Sequence, residues 1–310
     1  MRGSLPAAIR IREVGPRDGF QNEPETIPTA DKIRLIDSLA RTGLERIEVT
    51  SFVRADVIPQ LGDAEEVLGA IDVPEGVSVS VLIPNPKGLE RALALRDRFH
   101  EVNVFLSATE EHNRRNVNRT VDESIAGAAE TLRLAAAEGL RREAVISTSF
   151  GCPYEGRVPP ERVVGIAARL VDAGAEEIGF GDTTGMANPA QVAEFFELAR
   201  ESLPGVELTA HFHNTRGQGL ANVVAALGVG VESFESSFGG LGGCPVPAGA
   251  TGNIATEDLV SMVEEMGITT GVDIDALLRA VADVRSVLGR PLGSHTLVAG
   301  PIEWDPVRDD

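Results

Sequence analysis

Two histidines one residue apart, His211 and His213, carry the sharpest chemical signal in the chain. They stand at the end of an apolar run over residues 207–212. Residues i and i+2 of a strand share a face, so both imidazoles would enter one site. Two convergent imidazoles with a carboxylate make a common divalent-metal set. Asp18, just after the apolar run 9–14, offers the carboxylate, and Asn253 offers a carbonyl oxygen. Mixed nitrogen and oxygen ligation without thiolate favours Mg²⁺, Mn²⁺ or a similar ion over structural zinc. The plainer reading is a pair of hydrogen-bonded histidines in a polar pocket. Against it, two of only five histidines share this one place. Arg17 adjoins Asp18, and a guanidinium there suits a developing enolate oxygen or a carboxylate. Its plainer role is an ion pair with Glu48, and both roles can hold at once. Cys244 lies in a glycine-rich stretch, Gly239-Gly-Leu-Gly-Gly-Cys-Pro245. It is either an ordinary loop residue or a thiol that a moving loop brings over a substrate.

These residues need elements that bring them together. Apolar runs that read as strands recur over 9–14, 46–50, 77–83, 102–106, 144–149, 177–180, 207–212 and 231–236. Amphipathic stretches over 29–42, 121–138, 160–173, 189–202 and 218–228 read as helices between them. Pro159-Pro160 and Asn188-Pro189 suit helix starts, and Gly43, Gly139, Gly174 and Gly228 suit helix ends. Eight strands alternating with helices imply parallel βαβ units. Eight units in roughly 250 residues is the size of a closed (β/α)₈ TIM barrel. An open doubly wound sheet is the rival, weakened because no G-x-G-x-x-G follows the first strand. The expected layout is one α/β catalytic domain over 1–310. Its barrel spans about 9–250, a C-terminal helical extension about 254–290, and an irregular tail 291–310. In a closed barrel the first strand adjoins the eighth and lies near the seventh, which would carry Asp18 to the histidine pair.

Composition narrows the partners. The chain has 310 residues, 43% of them hydrophobic, enough for one large core. The net charge of −19 repels phosphate backbones, so nucleic acid is not expected, and it serves solubility first. A small anionic substrate still fits if a local basic pocket receives it. Two cysteines make no disulfide framework and fit a reducing cytoplasm. No apolar run reaches the roughly 18 residues of a membrane span, and the N-terminus does not read as a signal peptide.

The motifs taken together resemble the 3-hydroxy-3-methylglutaryl-CoA lyase family of metal-dependent TIM-barrel lyases. The matching segments are Val14-Gly-Pro-Arg-Asp-Gly-Phe-Gln-Asn-Glu23, Ile47-Glu-Val-Thr-Ser-Phe-Val53, Gly151-Cys-Pro-Tyr-Glu-Gly156 and Gly181-Asp-Thr-Thr-Gly185. They continue with His211-Phe-His-Asn-Thr215, Gly240-Leu-Gly-Gly-Cys-Pro245 and Gly249-Ala-Thr-Gly-Asn-Ile-Ala-Thr-Glu-Asp258. The resemblance runs from about residue 9 to about residue 288. It implies a divalent metal, Mg²⁺ or Mn²⁺, on Asp18, His211, His213 and Asn253. It implies that Arg17 stabilises an enolate and that Cys244 is a mobile acid/base group. Glu48, Asp182 and Glu257 match positions that shape the family's site. Arg114 and Arg115 match a basic pair where the acyl-CoA approaches. Gln21, Ser51 and Ser149, inside the matching segments or at strand ends, join Glu257 as substrate-binding candidates.

The implied reaction is carbon–carbon cleavage of 3-hydroxy-3-methylglutaryl-CoA, or of a close 3-hydroxy-3-alkylglutaryl-CoA, to acetyl-CoA and a 3-oxo acid such as acetoacetate. A Claisen-type synthase or an aldolase acting on a 2-oxo acid is the alternative, and a non-catalytic barrel is a third reading. An acyl-CoA is the expected partner and a homodimer the expected assembly. The sequence departs from the family at four places. Pro24 stands where lysine is common, Glu143 where an arginine is expected, and Arg216 where tyrosine is frequent. Ser237-Phe238-Gly239 replaces a smaller Ser-Val-Ala or Ser-Val-Gly. These departures leave the metal set intact and bear on which acyl group is accepted.

Overall fold

Eight parallel strands close on themselves. They are β1 (Arg10–Glu13), β2 (Arg46–Ser51), β3 (Ser78–Leu82), β4 (Glu101–Ser107), β5 (Arg141–Ser147), β6 (Glu177–Asp182), β7 (Glu207–Phe212) and β8 (Ser233–Ser236). Each pairs with the next, and β8 pairs with β1. That last pairing excludes the open sheet and makes the fold a (β/α)₈ TIM barrel. The structure is a computed structural model that describes residues 5–24, 26–243 and 251–304.

Helices cover the outside: α1 (Thr29–Leu39), α2 (Ala64–Ala70), α3 (Pro86–Leu93), α4 (Glu110–Val117), α5 (Val121–Ala137), α6 (Pro160–Asp172), α7 (Pro189–Ser202) and α8 (Gly219–Gly228). After β8 come α9 (Thr256–Glu265), α10 (Ile274–Leu288) and α11 (Thr296–Ala299). Their ends follow local chemistry. The Thr120 hydroxyl accepts the Glu123 N–H while the Glu123 carboxylate accepts the Thr120 N–H, a reciprocal cap on α5. Proline opens α6 and α7. Asp273 caps α10, which stops at a left-handed Gly289.

Three helices, α2 to α4, escaped the periodicity reading because they are short. In α4 the one buried residue is Asn113, so no apolar stripe exists to be seen. The tail expected to be irregular from 291 contains α11. The Asp258 carboxylate on α9 accepts the N–H groups of His295 (3.0 Å) and Thr296 (2.7 Å), which anchors the start of that turn.

The hydrophobic core lies between sheet and helices. The barrel axis is filled differently. Arg12 of β1, 1% exposed, touches Glu101 of β4 (3.0 Å), Glu177 of β6 (3.5 Å), Glu235 of β8 (3.0 Å) and Glu143 of β5. β4, β5 and β6 are not neighbours of β1, so these contacts can only be made across the interior. Arg46 of β2 adds bonds to Glu101 (2.7 Å) and Glu177 (2.6 Å). Aliphatic layers usually fill this space; here guanidinium and carboxylate fill much of it. Burial pushes Glu101 up, but Arg12 and Arg46 outweigh it and hold the group at about 2. Glu143 is pushed well up by burial, and Glu177 and Glu235 nearby add to the shift against the pull of Arg12.

Glu143 therefore faces the axis, at the position where the family resemblance led us to expect an arginine. The positive partner comes instead from Arg12, on another strand. A strand's inward residues alternate, so the same face of the barrel continues upward through Asn103 and Phe105 (β4), Val145 and Ser147 (β5), Gly181 (β6) and His211 (β7) to the barrel mouth.

Removing Arg12 strands several buried carboxylates at once. Arg12→Met is expected to lower the stability by about 3–5 kcal/mol, the usual cost of breaking a buried ion pair from one side. Urea denaturation followed by circular dichroism checks this. A midpoint equal to the parent's would show that the carboxyls protonate without penalty.

Candidate active site

A cavity of about 1100 Å³ opens at the C-terminal ends of the strands. Arg17, Asp18, His211, His213 and Glu235 reach its floor. The turn after β1 puts two of them there. The Val14 carbonyl accepts N–H groups from Arg17 (3.1 Å), Asp18 (2.6 Å) and Gly19 (3.4 Å), a wide π-type turn that pushes Arg17 and Asp18 toward the axis. Gly15 starts this turn because any Cβ there would run into the Phe238 ring. Phe238 also packs edge-on against Phe20, with centroids 5.3 Å apart, which gives the departure at residue 238 a packing role.

His211 and His213 arrive as the i, i+2 spacing dictates. Their Nε2 atoms share a hydrogen bond at 3.0 Å, so the plainer pairing of the two rings is present. A ligand atom from Asp18 lies within 4.8 Å of one from each imidazole, so the three residues form a possible metal site. Asn253 is brought alongside by a bridge between its backbone and that of His213. Its amide nitrogen donates to Asp18 Oδ2 (2.7 Å) and to the Leu241 carbonyl (2.9 Å). The Asn253 Oδ1 is thereby left buried with no partner among the described residues, as is His213 Nδ1. A buried acceptor without a donor is costly. An oxygen-seeking cation on this cluster would satisfy Asn253 Oδ1, so the donor set fits a divalent metal. Gly242 seals one side: a Cβ there would come within 2.6 Å of Asn253 Nδ2 and 2.9 Å of Asp18 Oδ2.

The charges act differently on the three groups. Burial would lower His211, but Glu235 and Asp18 outweigh it and raise the ring above its ordinary value. Burial would raise Asp18, but Arg17, both imidazoles and Asn253 outweigh it and hold the carboxyl below its ordinary value. His213 is pulled down to about 3 by burial and by the neighbouring His211. Both influences favour the neutral imidazole, the form a metal ligand takes. Arg17 donates from Nε to Glu48 (2.5 Å) and from Nη1 to Asp18 (2.7 Å). The ion pair with Glu48 is thus present, yet Nη2 has no partner among the described residues, so the second role of Arg17 stays open. Asn103 donates to the other Glu48 oxygen (3.1 Å), fixing that carboxyl from both sides.

Other expected residues fall elsewhere. Gln21 and Arg115 line the cavity. Arg114 does not; it lies exposed on α4 near Glu110 at 3.7 Å, because neighbouring residues of a helix point in different directions. Asp182 follows the inward Gly181 and so points the other way. Its Oδ1 accepts the N–H groups of Met186 (2.8 Å) and Ala187 (3.1 Å), and burial raises it to about 7. Ser149 fails for a different reason. Thr148 adopts a left-handed φ of 57°, which breaks the alternation, so Ser147 faces the cavity while the Ser149 hydroxyl donates to the Ile146 carbonyl (2.6 Å). Ser51 is buried and accepts the Val53 N–H (3.2 Å). Glu257, raised to about 7 by burial, accepts the Gly239 N–H (3.0 Å) beneath the loop after β8. Ser51, Ser149, Asp182 and Glu257 thus stand behind the cavity wall. Arg216 donates to the Thr184 (2.9 Å) and Gly185 (2.6 Å) carbonyls and ties the β6 and β7 loops together. Cys244 lies outside the described residues.

The sequence reading missed Glu235, Asn103 and most of a cationic rim. Arg54, Lys87, Arg91 and Arg119 join Arg115 around the opening of an otherwise acidic protein. They sit in loops and on short helices, where spacing carries no signal. The inward parity of β4 and β8 was the one clue to Asn103 and Glu235. Tyr154 also borders the cavity, with the Arg115 guanidinium 4.5 Å from its ring.

Comparison with known proteins places this geometry. The chain is 46% identical to the hydroxymethylglutaryl-CoA lyase YngG of Bacillus subtilis, over 94% of this chain and 97% of that one. It is 41% identical to the 3-hydroxy-3-isohexenylglutaryl-CoA/hydroxymethylglutaryl-CoA lyase of Pseudomonas aeruginosa, covering 96% and 98% of the two chains. The solved structure of an HMG-CoA lyase from Acinetobacter baumannii, in complex with coenzyme A and 3-methylmalate, superposes with a TM-score of 0.92. It is 40% identical to this chain and covers 97% of it and 98% of its own length. The family model described as HMGL-like matches residues 8–284, which takes in every strand of the barrel and the whole Asp18, His211, His213 and Asn253 cluster; this chain belongs to the HMGL-like family.

Proposed function

We propose that this protein is a carbon–carbon lyase that cleaves 3-hydroxy-3-methylglutaryl-CoA, or a close 3-hydroxy-3-alkylglutaryl-CoA, to acetyl-CoA and a 3-oxo acid such as acetoacetate. The observation that carries this reading is one shared cavity floor. There Arg17, with a free Nη2, adjoins the Asp18, His211 and His213 cluster, beneath a rim of cations, in a chain whose full-length relatives are hydroxymethylglutaryl-CoA lyases. One Mg²⁺ or Mn²⁺ would be held by Asp18, His211, His213 and Asn253. Such an ion polarises hydroxyl and carbonyl oxygens and lowers the pKa of a bound hydroxyl.

The chain's own residues account for the rest. The tertiary hydroxyl of the substrate loses its proton to a base, the C2–C3 bond breaks, and C3 becomes a ketone. The bonding electrons pass to the thioester as an enolate. Arg17, held by Glu48 and Asp18, directs its remaining N–H donors at the enolate oxygen, where preorganised donors are most effective. Cys244 delivers the proton that turns the enolate carbon into the acetyl methyl group. Its pKa as a thiol, near 8.5 when unperturbed, suits proton transfer at neutral pH. Asp182 and Glu257 support the site from behind the wall, through the β6 loop and the loop after β8. Lys87 and Arg119 have no ion-pair partner among the described residues, which leaves them for the phosphates of coenzyme A. The buried free thiol of Cys152 fits a reducing compartment such as the cytoplasm.

The direct test supplies 3-hydroxy-3-methylglutaryl-CoA with Mg²⁺ or Mn²⁺. Acetyl-CoA and acetoacetate should form, activity should vanish with a chelator, and added metal should restore it. Condensation of acetyl-CoA with a 2-oxo acid in place of cleavage would overturn the reading in favour of a synthase.

Arg17→Lys keeps the charge and loses the planar fork. We expect kcat to fall by at least about 10²-fold with a modest change in KM. Near-parent kcat would leave Arg17 with only its Glu48 pair.

For the rim, the K87A/R119A double variant should raise KM for the CoA thioester roughly 3- to 30-fold with little change in kcat, since each exposed charge contributes at most about 1 kcal/mol. The difference should shrink in high salt. An unchanged KM would place the coenzyme elsewhere.

A further inference from the structure

Behind the metal cluster, three strands place three side chains in one row. The barrel register makes His211 of β7 the direct partner of Glu235 on β8, and Glu235 the direct partner of Arg12 on β1. All three face the axis. Arg12 Nη1 donates to Glu235 Oε1 at 3.0 Å, and His211 Nδ1 lies 2.8 Å from Glu235 Oε2. The carboxylate is thus divided, with one oxygen committed to a guanidinium and the other to an imidazole. The His211 Nε2 is left facing His213 and the Asp18 cluster.

We propose that Glu235, oriented by Arg12, is a positioning residue that fixes the Nδ1–H tautomer of His211 and so keeps its Nε2 lone pair available for a divalent metal. The inference rests on the metal reading given above. Its logic follows from donor and acceptor counting. A guanidinium can only donate, so it claims whichever atom at position 235 can accept. An ionised carboxylate has two acceptor oxygens and can serve Arg12 and His211 together. The imidazole must then place its proton on Nδ1, and a neutral ring has no second proton for Nε2. Carboxylates behind metal-binding histidines generally act this way, and their loss typically lowers metal affinity 10- to 100-fold. Arg12 contributes by holding the carboxylate in place, since three further glutamates meet the same guanidinium from across the axis.

Glu235→Gln separates this role from simple filling of space. Arg12 would still claim the side-chain oxygen, which turns the amide NH₂ toward His211 Nδ1. The ring must then accept there and carry its proton on Nε2, where it blocks ligation. Two measurements test this. The first is Mn²⁺ affinity from electron paramagnetic resonance titration, with Tm as the control for folding. The second is the ¹⁵N NMR signature of His211 in histidine-labelled protein, recorded metal-free above the ring's titration range and again with diamagnetic Mg²⁺. The parent should show Nδ1–H in both states, with Nε2 shifted by Mg²⁺. E235Q should show Nε2–H and bind Mn²⁺ roughly 10- to 100-fold more weakly at a similar Tm. If E235Q does not fold, the parent spectra still decide: Nε2–H in the Mg²⁺-loaded parent overturns the proposal. So does an E235Q ring still protonated at Nδ1, whatever its affinity. A parent that binds Mn²⁺ alongside such a ring refutes this inference alone, whereas a parent that binds no Mn²⁺ refutes the metal reading and this inference with it.

Discussion

Everything at the mouth of this barrel stands on charge neutralisation along its axis. A closed eight-stranded barrel turns half of its strand residues toward an interior that water does not reach, and whatever is put there must be satisfied there. Here that interior holds Arg12 and Arg46 among Glu101, Glu143, Glu177 and Glu235. The strongly directional bonds of the guanidinium groups fix side chains that aliphatic packing would leave to rotamer preference. Glu235 belongs both to this ionic interior and to the site above it, so the order imposed below is passed upward to His211.

The site itself is a second arrangement of committed atoms. Arg17 gives one donor to Glu48 and one to Asp18, and Asn253 gives its amide hydrogens to Asp18 and Leu241. What remains uncommitted among the described residues is what a substrate or an ion could use, Arg17 Nη2 and Asn253 Oδ1, while the facing imidazole nitrogens of His211 and His213 hydrogen-bond only each other. Counting satisfied atoms therefore outlines the chemistry by subtraction. Of the cationic rim, Arg54, Arg91 and Arg115 are paired with carboxylates, so Lys87 and Arg119 are the charges left, among the described residues, to offset locally a net charge of −19.

The sequence made much of this legible wherever spacing equals geometry. His211-x-His213 could be read because a strand's period of two places both rings together, and the βα recurrence could be read because eight units of that size close a barrel. Reading failed where one residue changes the phase. Nothing in the composition of Ser147-Thr148-Ser149 announces that Thr148 is left-handed, so Ser149 was expected where Ser147 stands. Asp182 was one position out of phase with Gly181, and Arg114 one position from Arg115. Glu235 was hidden because its partners, Arg12 and His211, are remote in the chain and meet it only through barrel register.

The placement of one guanidinium also constrains inheritance. Barrels of this kind are often pictured as eight interchangeable βα units, each free to be shuffled or replaced. In this chain the positive charge that faces Glu143 of β5 is carried by Arg12 of β1. A unit that brought an arginine at the β5 position into this barrel would set two guanidinium groups against each other in a dry interior. A relative that received this β5 without this β1 would bury an unmatched carboxyl. The first and fifth units therefore share one charge balance, and exchanging both together is expected to disturb the interior less than exchanging either alone.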